Sequence, residues 1–172
     1  MKRALILAAV ATILPACGTS NDGTPTTSSG MTAMDPGIET FADEGNTHVP
    51  VGTVITYNTD PPTSGNHYPD PQEGGFYTKV IDPGFLVHTM EHGGIIIYYD
   101  KAFVAAGDLD KLKKLAEDHK GDFSTICVVP RTDPTYPIIL TAWTHRLRLS
   151  QYDQTRIDGF VTLYLGQGPE KD

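Results

Sequence analysis

Phe85-Leu86-Val87-His88-Thr89-Met90-Glu91-His92-Gly93-Gly94-Ile95-Ile96-Ile97-Tyr98-Tyr99 is the stretch on which the fold of this chain turns. Its second half is apolar and β-branched, and reads as a strand, Ile95 to Tyr99, buried on both faces. The first half is ambiguous. His88 and His92 stand four residues apart, a spacing that puts them on one side of either a helix or a strand. Their neighbours separate the two cases. An extended chain sets Met90 beside the histidines and Glu91 opposite; a helix brings Glu91 toward them and turns Met90 away. The apolar Phe85-Leu86-Val87 lead and the Gly-Gly-Ile-Ile-Ile continuation favour the extended form.

Outward from this stretch, Val51 to Asn58 reads as a strand that ends at Asp60-Pro61-Pro62, where two prolines forbid ladder donation. The Pro/Gly/Asn/Asp-rich run from there to Gly75 reads as a long loop, and long ordered loops in compact domains are usually functional. Phe76 to Ile81, Phe123 to Pro130 and a longer Ile138 to Leu149 complete the expected strands. Asp108 to His119 is expected as a helix capped by Asp108, with Leu109, Leu112, Leu115 and Ala116 in one stripe and Gly121 at its C′ position. Ser150 or Asp153 opens a second helix carrying Ile157, Phe160, Val161 and Tyr164 at helical spacing, closed by Gly166. The expected fold is α+β: a single small domain, mostly antiparallel sheet, with two helices packed on one face.

The N-terminus reads as a secretory address. Met1-Lys2-Arg3 is positive, Ala4 to Leu14 is apolar, and Pro15-Ala16-Cys17 forms a lipobox, so Cys17 is expected to be lipidated. This eleven-residue run falls well short of the roughly 20 that a spanning helix needs. The expected organisation is a lipoprotein signal peptide over 1–16, a flexible Thr/Ser/Gly-rich tether over 17–40, and a globular domain over 41–172. The chain would then be a membrane-anchored lipoprotein of the cell envelope, facing the periplasm or the exterior. With Cys17 acylated, Cys127 is the one thiol remaining; it sits in an apolar run and reads as a buried small hydrophobe.

Removing Lys2 and Arg3 from the 13 basic residues leaves 11 against 21 acidic ones, a formal charge of −10. Such a surface argues against nucleic-acid partners and is compatible with cation capture. A protein partner is not legible.

His88, His92 and Met90, joined by His67 from the loop Pro61-Pro62-Thr63-Ser64-Gly65-Asn66-His67, form the candidate metal ligands. Imidazole suits copper or zinc, and the Met90 thioether shifts preference to copper; if Glu91 coordinates in its place, zinc is the alternative. Asp70, Glu73 and Glu91 are candidate acceptors for the second ring nitrogens. Two other readings compete. Glu91 could work with His88 or His92 as the acid/base pair of an enzyme, or the histidines could bond backbone carbonyls and only shape the loop of a binding module. His88 to His92 also spells the H-x-x-E-H metalloprotease pattern, but Gly93 and Gly94 break the long helix it needs. Thr63-Ser64-Gly65 lacks the context of a nucleophile elbow. His145, beside Trp143 on the expected long strand, reads first as a satisfied, half-buried residue.

Pro-Pro-Thr-Ser-Gly-Asn-His at 61–67 and Val-His-Thr-Met-Glu-His-Gly-Gly at 87–94 resemble two signatures of a bacterial domain-of-unknown-function family of secreted or membrane-anchored proteins. Leu-Thr-Ala-Trp at 140–143 resembles its third block. Tyr68 stands where that pattern often has a second histidine, and Met90 where it often has leucine. The resemblance groups His67, His88, Glu91 and His92, makes Met90 an optional ligand, and implies no activity.

Overall fold

The computed structural model describes residues 37–170, so the signal peptide, Cys17 and most of the tether lie outside the described residues. Among the described residues, three helices and a mixed sheet make up the fold. The order is β1 (Ile38–Thr40), β2 (Gly75–Phe76), α1 (Pro83–Glu91), β3 (Ile95–Tyr99), α2 (Ala106–Asp118), β4 (Lys120–Gly121), β5 (Ser124–Pro130), β6 (Ile138–Ala142), β7 (His145–Leu149) and α3 (Gln154–Tyr164). Across the sheet the strands run β1-β7-β6-β3-β5-β2, with β4 hung on β5. Residues 38–40, read from sequence as the end of the tether, are β1, paired with β7.

The sheet is mixed, against the expectation of a mostly antiparallel one. β6 and β7 form an antiparallel hairpin and β3 lies antiparallel to β6, but β5 runs parallel to both β3 and β2. The cause is connectivity. Helix α2 lies between β3 and β5 in the chain, and a strand returning after a helical crossover lies parallel to the first.

As expected, β3 is buried along its whole length. Ile95, Ile97 and Tyr99 face one cluster, with Leu112 and Ala116 of α2 and Ile157 and Phe160 of α3. Ile96 and Tyr98 face a second cluster, with Leu86, Val87 and Met90 of α1, Cys127, Ile139 and Trp143. The two expected helices thus share one face, and a third covers the other. A strand apolar on both sides requires such cover, since each buried isoleucine contributes roughly 1.5–3 kcal/mol that exposure would forfeit.

Helix α1 replaces the extended chain read over 85–91. Asp82 caps it, accepting from Gly84 N at 2.8 Å, and Pro83 occupies its first turn. It ends where Gly93 takes a left-handed φ of 84° and donates to Met90 O, while Gly94 donates to Thr89 O. A side chain at Gly93 would also meet the Gly166 backbone at 2.8 Å.

Other departures have local causes. Val51 to Asn58 is not a strand: Val54 is 93% exposed, and Asn58 N bonds the Glu44 carboxylate instead of a strand neighbour. Of Phe76 to Ile81, only Phe76 is in a strand. Ile138 to Leu149 is a hairpin turned at Trp143-Thr144, with Thr144 at φ 61°. That turn resets the alternation, so Thr141 pairs with Arg146 and lies on the face opposite Leu147. Ala105, rather than Asp108, begins α2; Asp108 sits in its first turn and pairs with Lys111, while Gly121 belongs to β4. Asp153 caps α3, and Gly166 follows its end with φ 76°.

Cys127 lies fully buried on β5, its Sγ–H 3.2 Å from Glu73 O. Burial pushes its thiol up to about 12, so almost no thiolate forms near neutrality. Peptide-level mass spectrometry is expected to find Cys127 unalkylated after native treatment at pH 8 and fully alkylated in guanidinium. Rapid native labelling would contradict this burial.

Candidate metal centre

Four side chains from three segments converge beneath α1. The bonds Val49 N to His67 O and His67 N to Thr47 O lay the 47–49 segment alongside the proline loop, and a bridge joins His48 to His67. The loop itself is buried from Pro61 to Gly65. Thr63 O accepts from Thr144 N, and Ser64 Oγ accepts from Glu44 N. Its proline-rich sequence thus encodes an internal wall, with His67 at the end.

His48, His67, His88 and Glu91 each offer one ligand atom, and these atoms lie within 4.8 Å of one another. His67, His88 and Glu91 are buried; His48 is half exposed. The His48 and His88 rings stack at 4.9 Å, and both meet the His67 ring edge-on, at 4.8 and 5.0 Å. Trp143, held by Asp43 through its Nε1–H, stands 6.4 Å from the His67 ring.

Hydrogen bonds fix which nitrogen each buried imidazole presents. His67 Nδ1 lies 2.8 Å from Gly65 O, and His88 Nδ1 lies 2.6 Å from Tyr68 O. A carbonyl only accepts, so both Nδ1 atoms carry protons and both Nε2 atoms face inward. Backbone carbonyls, not Asp70 or Glu73, therefore supply the acceptors that orient a histidine for metal binding. The loop-shaping reading described these same bonds, but it accounts for only one nitrogen of each ring.

The other nitrogens pose a problem of charge. His67 Nε2 is 2.9 Å from Glu91 Oε2, and His48 Nε2 is 3.5 Å from that same oxygen. A carboxylate and an imidazole lone pair repel, so a proton or a metal ion must lie between His67 and Glu91. A proton satisfies one such pair. A metal ion satisfies all four groups.

Burial holds His88 below the usual imidazole range; His67, His92 and His48 lower it further, and the bond to Tyr68 O opposes the shift. The folded chain therefore keeps His88 neutral at a pH where the unfolded chain has begun to protonate it, from about 6.5 downward. Stability from this group is complete above that pH and is lost as pH falls through the folded value. In chelator-treated protein the urea midpoint is expected to fall from pH 7 to pH 5, less steeply in His88→Asn. Identical slopes would contradict it.

The expected ligands thus divide. His67 and His88 lie in this group, and Glu91 joins them as the helical alternative requires. Met90 is wholly buried in the second apolar cluster, turned from the histidines by the helix. His92 caps α1; its Nε2 is 2.9 Å from His88 Nε2 and 3.0 Å from Glu170 Oε2. The H-x-x-E-H pattern runs off the end of a nine-residue helix rather than along a long one. His145 donates from Nδ1 to Trp143 O at 2.7 Å, stacks on Tyr164 and joins neither group. His48 was not foreseen. No local motif marks it, and only its bridge to His67 brings it in.

Fold and site together define an α+β domain with a cluster of three imidazoles and one carboxylate, buried except at His48. The chain belongs to the family described as Protein of unknown function (DUF3105), whose model matches residues 48–172, a span holding the whole cluster. No curated protein and no solved structure matches it.

Proposed function

We propose that this protein binds a divalent transition-metal ion through His48, His67, His88 and Glu91, in a lipid-anchored chain of the cell envelope. The observation that carries the metal reading is the inward convergence of Nε2 atoms on Glu91 Oε2, with Nδ1–H groups of His67 and His88 bound to carbonyls. The anchor rests on the lipobox at Cys17, and no helix among the described residues is long and apolar enough to cross a membrane.

With Met90 in the core, the donor set contains no thioether, and the case for copper(I) lapses. Three imidazoles and a carboxylate suit zinc first and copper(II) second. Four protein ligands close a tetrahedral site, which favours holding a metal over activating water on it. His48, half exposed on its segment, is the ligand placed to release first, so the site suits uptake and delivery. Glu91 is only 3% exposed, which disfavours the acid/base alternative.

The test is competition titration of chelator-stripped full chain with Zn2+ and Cu2+ against a chromophoric chelator. Binding is expected in the native chain and lost in His48→Ala/His88→Ala. Equal uptake by the two proteins would sink the proposal.

A further inference from the structure

A second group of metal-competent side chains adjoins the first and shares a member with it. Glu91, His92 and Glu170 each offer one ligand atom within 4.8 Å of the others. His92 Nε2 lies 3.0 Å from Glu170 Oε2, and Glu170 N donates to Glu91 O at 3.2 Å. His92 Nε2 also lies 2.9 Å from His88 Nε2. His92 Nε2 therefore has the Glu170 carboxylate on one side and a ligand of the first group on the other.

We infer that the protein holds a second divalent cation, at His92 and Glu170, with the Glu91 carboxylate spanning the two ions. This inference rests on the proposed first site, because Glu91 serves both. A carboxylate has two oxygens and can give one to each ion, and paired ions in proteins stand about 3.5–4 Å apart. The buried first group supplies the tight site, with three imidazoles. The second supplies one imidazole and two carboxylates, a harder and more negative set.

Exposure separates the two in strength. The His92 and Glu170 side chains are 30% and 51% exposed, whereas in the first group only His48, at 49%, is exposed and His67 is at 0%. Water competes for the outer ion, which is therefore the weaker and the faster to exchange. It also has access to a ligand. A cavity of about 290 Å³ has His92 in its wall, together with Gln72, Thr89, Lys120 and Phe123. The His92 ring stacks on Phe123 at 5.2 Å, which fixes its position beside that space. Glu73 and Asp122 in the same wall outnumber Lys120, so water, and not an added anion, completes the outer ion's coordination from this side.

Equilibrium dialysis of the full chain against Zn2+, read by elemental analysis, distinguishes the cases. Two ions per chain are expected, the second saturating at a Zn2+ concentration at least tenfold higher. Glu170→Gln, at an exposed position, is expected to bind one ion with first-site affinity unchanged, and His92→Ala to bind one ion. One ion in the native chain, or two in both variants, would overturn the second site and leave the first standing. Loss of both ions in Glu170→Gln would overturn it as well, since the groups would then form one site. No ion in the native chain would remove both proposals together.

Discussion

His67→Ala is expected to weaken divalent-metal binding by more than about 100-fold, beyond the loss usual when an outer-sphere group is removed. Three consequences of one truncation combine. The first is loss of a wholly buried nitrogen ligand. The second is release of the Gly65 carbonyl, which the ring occupies at 2.8 Å and which helps to set the loop. The third falls on Glu91, left buried with His48 Nε2 at 3.5 Å as its remaining close imidazole. Leaving a buried hydrogen-bonding group without its partner costs about 1–3 kcal/mol, so the metal-free variant should also unfold at lower urea. His67→Asn separates the effects, since its amide can donate to Gly65 O without supplying the inward nitrogen. It is expected to regain stability and not affinity. The single tryptophan, Trp143, at 6.4 Å from the His67 ring, gives a fluorescence readout for both titrations. Unchanged metal affinity in His67→Ala would refute this assignment.

Gly93→Ala is expected to cost about 2–5 kcal/mol, the sum of left-handed backbone strain and overpacking. The position has a φ of 84°, and a Cβ there would stand 2.8 Å from two backbone atoms of Gly166. Backbone cannot rotate aside as a side chain can. The C-terminal segment that bonds Gly93 O through Gly166 N, and Glu91 O through Glu170 N, must therefore lift away. Gly159→Ala is the control. It lies within α3 with nothing inside 4 Å of its added Cβ, so it should stabilise by about 0.5–1 kcal/mol through helix propensity. Urea midpoints that move equally in the two variants would contradict the contact.

How far the sequence revealed this fold depends on whether a signal was local. The Leu112/Ala116 and Ile157/Phe160 stripes are periodic, and both helices lie where their spacing puts them. The strand at 95–99 was legible for the same reason. Helix α1 carried its own start signal, Asp82-Pro83, which the β-like Phe85-Leu86-Val87 outweighed. The doubly buried β3 already demanded something to cover its second face. Only that cover turns Glu91 toward His67 and sends Met90 into the core. The Trp143-Thr144 turn has no glycine or asparagine to mark it, so one long strand was read through a hairpin. His48 is the clearest loss. Its role depends on pairing between segments about twenty residues apart, which composition and periodicity do not encode.

X-ray absorption at the metal edge of the zinc-loaded chain reads the ligand atoms themselves. Nitrogen and oxygen scatterers at about 2.0–2.1 Å, with the multiple-scattering pattern of imidazole and no sulfur, are predicted. A sulfur shell near 2.3 Å, or a spectrum of hydrated zinc without imidazole, would contradict a centre built from His48, His67, His88 and Glu91.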